Sequence, residues 1–467
     1  MSERGVRARS PRRPLLELWF GCAMIILVAF RLLGFRAHVD DDLWLHLRIG
    51  EELRDGTRFG GLPDPLVLLA DRPYTPSQWL SEILGSLLYE WTGLTGIHLL
   101  RVLAIVTIAA LVYATGRHFV APSISVAVTF FALFATSTAW AERPQLVGLV
   151  MQALVALLCT RAWRRGRRLW PVIPLMWLWA CLHGTWILGL LTTAVFVMLM
   201  LRADHSKSSI RRCLLVWSGS LAVVALTPLG PTALLQPFAV NDAAKASVNE
   251  WQTPTWDNPT FLVTAVLALT SIGVALTRRR SRPEVLLLSV ASLSLAAYSV
   301  RTVAFAAILA APALGMATRP RELRMKWRLT RTEESLPWLV CAASAAAIAL
   351  VAGPPPQAIR NPALVAALEQ LPSGTRVAAD VGVSGWLLFH EPQLALLRDL
   401  RAESYSPNVA GAFDAFWRAQ RGWADYLAQR AVSVVLAPEG HDISTALALA
   451  GWTKSARGDG YLLYERP

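Results

Sequence analysis

The chain has 467 residues, 54% of them hydrophobic and only 16% charged, with a mean hydropathy of +0.42. A soluble protein of this size carries roughly a quarter charged residues, so the composition excludes an ordinary soluble enzyme. The formal charge of +13 would suit nucleic acid, but the placement of the cations assigns much of it to membrane topology instead.

Apolar stretches lie at about 15–34, 97–116, 121–139, 144–160, 169–182, 184–201, 213–229, 260–277, 284–300, 302–318 and 336–353. They predict an all-α polytopic membrane protein of about eleven transmembrane helices, several shorter than the ~20 residues of an ideal span. A basic segment, 1–14, precedes the first stretch, which is long and has no small-residue cleavage site after it. It reads as a retained span. Cys22, Cys159, Cys181, Cys213 and Cys341 all fall in apolar segments, which leaves neither a disulfide framework nor a zinc cluster.

The basic clusters are Arg4/Arg7/Arg9/Arg12/Arg13, Arg161/Arg164/Arg165/Arg167/Arg168, Arg202/Lys207/Arg211/Arg212, Arg278/Arg279/Arg280/Arg282 and Arg319/Arg321/Arg324/Lys326/Arg328/Arg331. With eleven spans all of them reach one side, the cytoplasm by the positive-inside rule, and they hold 24 of the 45 cations. The other side collects polar, non-basic residues at span ends. The predicted membrane domain is 15–353, with a first outer loop at 35–96.

That loop opens on Asp40-Asp41-Asp42, where the first span gives way to water. Residues 41–54 carry Leu43, Trp44, Leu47 and Leu53 at roughly helical spacing, and residues 78–91 form a second amphipathic pattern with aromatics at both ends. Both are predicted to lie in the membrane interface. Pro63, Pro65, Pro73 and Pro76 mark a turn-rich crossover between them.

After Gly353-Pro354-Pro355-Pro356, residues 354–467 predict a small extracytoplasmic α/β domain. Its strands are predicted at Arg376–Ala379, Gly385–His390, Ala395–Leu400, Ser433–Ala437 and Tyr461–Glu465, and its helices at Ala412–Arg430 and Ile443–Ala450. It shows no Gly-rich phosphate loop, no Ser-His-Asp order and no metal-ligand spacing, so a structural or substrate-capping role is expected.

Three carboxylates within one turn at a membrane edge are costly without a cation. One of Asp40, Asp41 and Asp42 could be a helix N-cap, but that does not explain all three. A carboxylate there could act as general base, or Asp40 and Asp42 could hold a divalent cation, magnesium or manganese. His46, four residues past Asp42, is a hydrogen-bonded partner or a ligand. Arg143 and Arg301 either snorkel to headgroups or hold a phosphate in the guanidinium fork. His183 and Trp186 form an aromatic, polar edge that reads as interface anchoring or as sugar contact. Glu250, beside Trp251, is a solvated loop residue or a further carboxylate of the site.

These residues occur as Asp42-x-Trp44-x-His46, Tyr74-Thr75, Trp79-x-x-Glu82, Arg143-Pro144-Gln145, His183-Gly184-x-Trp186, Glu250-Trp251 and Arg301. With the acidic loop and paired interfacial helices, the pattern resembles the GT-C superfamily of integral membrane glycosyltransferases. That superfamily includes protein O-mannosyltransferases and lipid A aminoarabinose transferases, and the likeness is closest to bacterial members. The resemblance covers about residues 15–350. It implies an acidic residue among Asp40, Asp41 and Asp42 as base or metal contact, and Arg143 and Arg301 on a donor phosphate. It also implies His46, Trp79, Glu82, His183, Trp186, Glu250 and Trp251 around the substrate. The partners implied are a polyprenyl-phosphate sugar donor, a lipid, glycan or protein acceptor, and membrane lipids, with no nucleic acid. The place implied is the outer face of a bacterial inner membrane. The run of three aspartates departs from the pattern, since nothing in it selects one. Two rivals stand beside this reading. One is a non-catalytic envelope-assembly or lipid-handling protein with the same fold. The other is a transporter, which the lack of internal repeats and of ionisable residues at span centres opposes.

Overall fold

The computed structural model describes residues 12–33, 39–166, 168–245, 248–277, 282–318 and 330–467. The basic clusters at Arg4–Arg9, Arg278–Arg280 and Arg319–Arg328, with Arg167, lie outside the described residues.

Among the described residues thirteen α-helices precede the tail. They are α1 (Arg12–Leu33), α2 (Asp41–Arg54), α3 (Trp79–Gly116), α4 (Pro122–Ala135), α5 (Gln145–Arg165), α6 (Val172–Leu182), α7 (Trp186–Ala203), α8 (Lys207–Ala222), α9 (Gln236–Ala244), α10 (Pro259–Thr277), α11 (Pro283–Tyr298), α12 (Val300–Thr318) and α13 (Arg331–Ala352). Among the described residues seven helices are long and apolar enough to cross a membrane, and four of the five shorter apolar ones precede the tail, at Leu15–Leu27, Pro122–Ala135, Val172–Leu182 and Pro283–Tyr298. Each of the eleven predicted segments falls on one of these, and the chain is a polytopic helical membrane protein. The second amphipathic helix and the next span are two helices joined at a kink within α3. Gly93, at φ 60° and ψ −158°, breaks the helix where the amphipathic pattern ends and the apolar run begins. Glycine alone adopts that backbone cheaply.

The tail comprises α14 (Pro362–Glu369), β1 (Arg376–Ala379), α15 (Ser384–His390), β2 (Ala395–Leu396), α16 (Pro407–Trp417), α17 (Trp423–Gln429), β3 (Val434–Pro438), α18 (Asp442–Leu449), β4 (Thr453–Gly458) and β5 (Tyr461–Glu465). The strands form one sheet in the order β2-β1-β3-β5-β4, parallel through β1 and antiparallel through β5. Three expectations need correction. Residues Gly385–His390 are helix, not strand, because the Gly385 and Trp386 N–H groups at the start of α15 find an acceptor in the Asp41 carboxylate. The single helix at Ala412–Arg430 is two, separated where Gly422 takes φ 90°. The strand Thr453–Gly458, with mostly exposed polar residues, had no apolar signal to reveal it.

The first loop and the tail share a hydrophobic core. Trp44 is fully buried, its ring 5.3 Å from Phe389 and 4.6 Å from His390, and Leu47, Val377, Leu387, Leu436 and Leu463 lie in the same cluster. Leu68 and Leu69 donate N–H bonds of 2.9 Å to Leu396 and Leu397, so the loop extends the sheet beyond β2. Arg401 fixes the junction. It donates to Asp64 at 2.8 and 3.0 Å and to Asp399 at 2.7 Å, all three side chains being buried. Unpairing such a group costs about 3–5 kcal/mol.

Candidate active site at the outer end of the bundle

Asp40 caps α2, its Oδ1 accepting the Asp42 N–H at 3.1 Å. Its other oxygen meets Arg143 Nη2 at 3.0 Å, so one aspartate both caps the helix and belongs to the site. Asp42 Oδ2 lies 3.0 Å from Arg143 Nη1. Burial pushes the Asp42 carboxyl up, against the Arg143 charge that pulls it down. Asp41 points elsewhere. It accepts N–H bonds from Gly385 at 2.8 Å and Trp386 at 2.9 Å, and burial raises its carboxyl to about 7. Asp40 is the extended N-cap, outside the helix, and within α2 Asp41 and Asp42 point about 100° apart, so Asp41 does not share the site of its neighbours. Asp41 holds the tail domain and stands away from the catalytic cluster predicted for all three.

Arg143 precedes Pro144, which leads into α5. Besides both aspartates it reaches Glu250 Oε1 at 3.0 Å. Burial opposes its charge, but Asp42, Asp40 and Glu250 more than offset this and hold the guanidinium protonated. Glu250 Oε2 then lies 3.6 Å from Arg301 Nη1, in the first turn of α12. Arg301 sits over the Trp251 ring at 5.2 Å, with Nη2 3.5 Å from His183 Nε2. The His183 Nδ1 accepts the Thr185 N–H at 3.0 Å, which leaves Nε2 as the protonated nitrogen of a neutral ring. Burial, then Arg301, keep His183 neutral, well below its ordinary range. Two donors therefore face each other, an arrangement suited to an oxyanion between them.

The predicted residues thus fall into a chain: Asp40 and Asp42, Arg143, Glu250, Arg301, His183, with Trp251 beneath. His46 and Glu82 pair beside it at 3.0 Å. Trp186, 3% exposed, is packed into the bundle core, and Trp79 lines neither cavity described below. These two sequence expectations do not meet the cluster, since bulky apolar rings at helix starts are absorbed by packing.

Two cavities meet at this chain. One, of about 490 Å³, runs between α2, α3 and α5, with His46, Glu82 and Arg143 at its polar end and Leu88, Leu100, Leu103 and Val147 along its walls. The other, of about 320 Å³, is lined by Tyr74, Gln78, His183, Trp251, Tyr298, Arg301 and Glu403. Glu403, from the tail, was missed by sequence reasoning. It has no ion pair within 4 Å among the described residues, and burial raises its carboxyl. No periodicity or motif marks it, because a short turn held by its neighbour Arg401 brings it in.

Asp40 and Asp42 do not fit a divalent cation as they stand. The Arg143 guanidinium already occupies the space between them, and no group of three or more potential ligands clusters among the described residues.

No protein-family model matches the chain, and no curated protein matches it in sequence. Among solved structures it is similar to the oligosaccharyltransferase AglB of Archaeoglobus fulgidus, in complex with an inhibitory peptide and a dolichol-phosphate. The identity is 15%, 90% of this chain and 69% of that one are covered, and the TM-score is 0.53. The same archaeal enzyme tethered to an acceptor peptide gives 15%, 90%, 69% and 0.52. ArnT from Cupriavidus metallidurans, bound to undecaprenyl phosphate, gives 13%, 95%, 97% and 0.49. The likeness to the archaeal enzyme is one of fold. The chain therefore shares the fold of that archaeal oligosaccharyltransferase.

Proposed function

We propose that the protein is a membrane glycosyltransferase that moves a sugar from a polyprenyl-phosphate donor to an envelope lipid, glycan or protein, on the outer face of a bacterial inner membrane. The observation that carries this reading is the pair of guanidiniums bridged by Glu250, one lining each of two neighbouring cavities. The isoprenoid would lie along the first cavity, its phosphate on Arg143 and Arg301, and the sugar and acceptor in the second, beside His183 and Glu403. In the reaction an acceptor oxygen bonds to the anomeric carbon while the carbon–oxygen bond to phosphate breaks, its electron pair leaving on the phosphate. Arg143 and Arg301 stabilise the charge that develops there. Asp42, whose carboxyl is raised by burial, takes the acceptor proton, and a base tuned upward is better matched to neutral pH. Glu403 offers a carboxylate to a hydroxyl or ammonium on the acceptor. A divalent cation would have to displace Arg143, so no step is routed through one, and a chelator is expected to leave the rate unchanged.

The test is transfer from a panel of radiolabelled polyprenyl-phosphate sugars by protein in lipid. Transfer by wild type that falls about 100-fold or more in Asp42→Asn and Arg301→Ala supports the reading. If no donor is consumed while both variants still restore envelope integrity to a deletion strain, the protein is the non-catalytic assembly factor instead.

A further inference from the structure

A third cavity, of about 1350 Å³, lies between the C-terminal ends of α3 and α5 and the N-terminal end of α13. Arg143 and Arg165 flank the two ends of α5, about 30 Å apart at 1.5 Å per residue, so this cavity opens at the opposite end of the bundle from the acidic site. Arg117, Arg161, Arg165, Arg168 and Arg331 line it, with Glu334 the one carboxylate among its lining residues. Glu334 is already engaged, accepting from Arg117 Nε at 2.8 Å and lying 2.7 Å from its Nη2. Arg165, Arg168 and Arg331 have no ion pair among the described residues. His118 lies in the same cavity wall. Burial, then Arg165, Arg161, Arg164 and Arg117, push its imidazole down to about 4.

We propose that this cavity binds an anionic phospholipid by its phosphate. Ordinary positive-inside arginines need only reach water. Arg165, Arg168 and Arg331 converge with other arginines on one space, where like charges destabilise one another unless an anion joins them. A guanidinium fork matches phosphate oxygens in pairs. The space also continues past the cations along an apolar wall that includes Val106, Leu111, Leu339 and Ala342, at the depth of the spans. Trp338 lines it too, only 9% exposed and with its Nε1–H lacking an acceptor. A free phosphate would use the arginines and leave that wall unused, whereas a lipid uses both. Basic pockets between transmembrane helices hold anionic headgroups in this way. The inference is independent of the proposed transfer reaction.

The test uses the full chain in neutral detergent, titrated with phosphatidylglycerol, with phosphatidylcholine of the same acyl chains, and with inorganic phosphate, and read by native mass spectrometry and thermal unfolding. Phosphatidylglycerol is expected to remain bound and raise the melting temperature, with phosphatidylcholine and phosphate doing neither. Arg165→Gln/Arg168→Gln should weaken phosphatidylglycerol binding about 30-fold, and Arg165→Gln alone about fivefold. Arg421→Gln, on the exposed surface of the tail, should change nothing. Equal binding of the two lipids, full effect from phosphate alone, or unchanged binding in a double variant that elutes as wild type would overturn the proposal.

Discussion

The two ends of α5 carry the same side chain in opposite company. At the first, Arg143 meets Asp40, Asp42 and Glu250, so its charge is more than matched. At the second, five arginines line a cavity in which Glu334 is the one carboxylate among the lining residues, and Arg165, Arg168 and Arg331 have no ion pair among the described residues. A guanidinium crowded by carboxylates is held in one geometry, which under the proposed function serves a reacting phosphate. Arg165, Arg168 and Arg331 are open to an anion from outside. The sequence marks the second end by a cluster of arginines and the first by a single one, and the neighbours in space separate the two uses.

Removing Arg143 breaks the contrast most sharply. Arg143→Met leaves three carboxylates without their shared cation, and transfer should fall about 1000-fold. Arg143→Lys should recover little, since a point charge cannot serve Asp40, Asp42 and Glu250 in one plane. Transfer by Arg143→Met at the wild-type rate would make the acidic end merely structural. A smaller effect belongs to the acceptor side. Glu403→Gln should raise the acceptor KM about 10- to 100-fold while donor binding holds, the loss expected of a hydrogen bond to a charged group. An unchanged KM would remove Glu403 from the site. The smallest effect separates Asp41 from its neighbours. Its carboxyl sits at about 7 in the folded chain against an ordinary 3.8, so folding takes up a proton between those values. Stability from this group is therefore present at low pH and lost as pH rises from about 4 to about 7. Asp41→Asn should flatten that part of the melting-temperature profile with little change in transfer, whereas Asp42→Asn should abolish transfer.

Much of this was legible in the sequence, for a physical reason. A charged residue beside a span end is expensive, and the chain carries few of them, so Arg143, Arg301, Glu250 and His183 stood out against apolar neighbours and do converge. Direction was not legible. Asp40, Asp41 and Asp42 are equivalent as text, and the helix that begins with them sends one toward the tail. Tertiary delivery was not legible either. Glu403 lies in a turn with no periodicity, and its approach depends on Arg401 meeting Asp64 from the far side of the chain. The apolar run at Gly385–His390 fits a strand as well as a helix, and an acceptor more than 340 residues away decides between them.

The salt bridge between Asp64 and Arg401 joins residues 337 positions apart. At about 5–20 residues per second of synthesis, its two halves appear roughly 20–70 s apart. Throughout that interval Trp44 has no tail residues to cover it, Asp64 lacks Arg401, and Glu403 is missing from the wall of the outer cavity. The cavity that Tyr74, His183 and Arg301 line is therefore complete only once residues 401–403 have been made, so its assembly is a late event in synthesis.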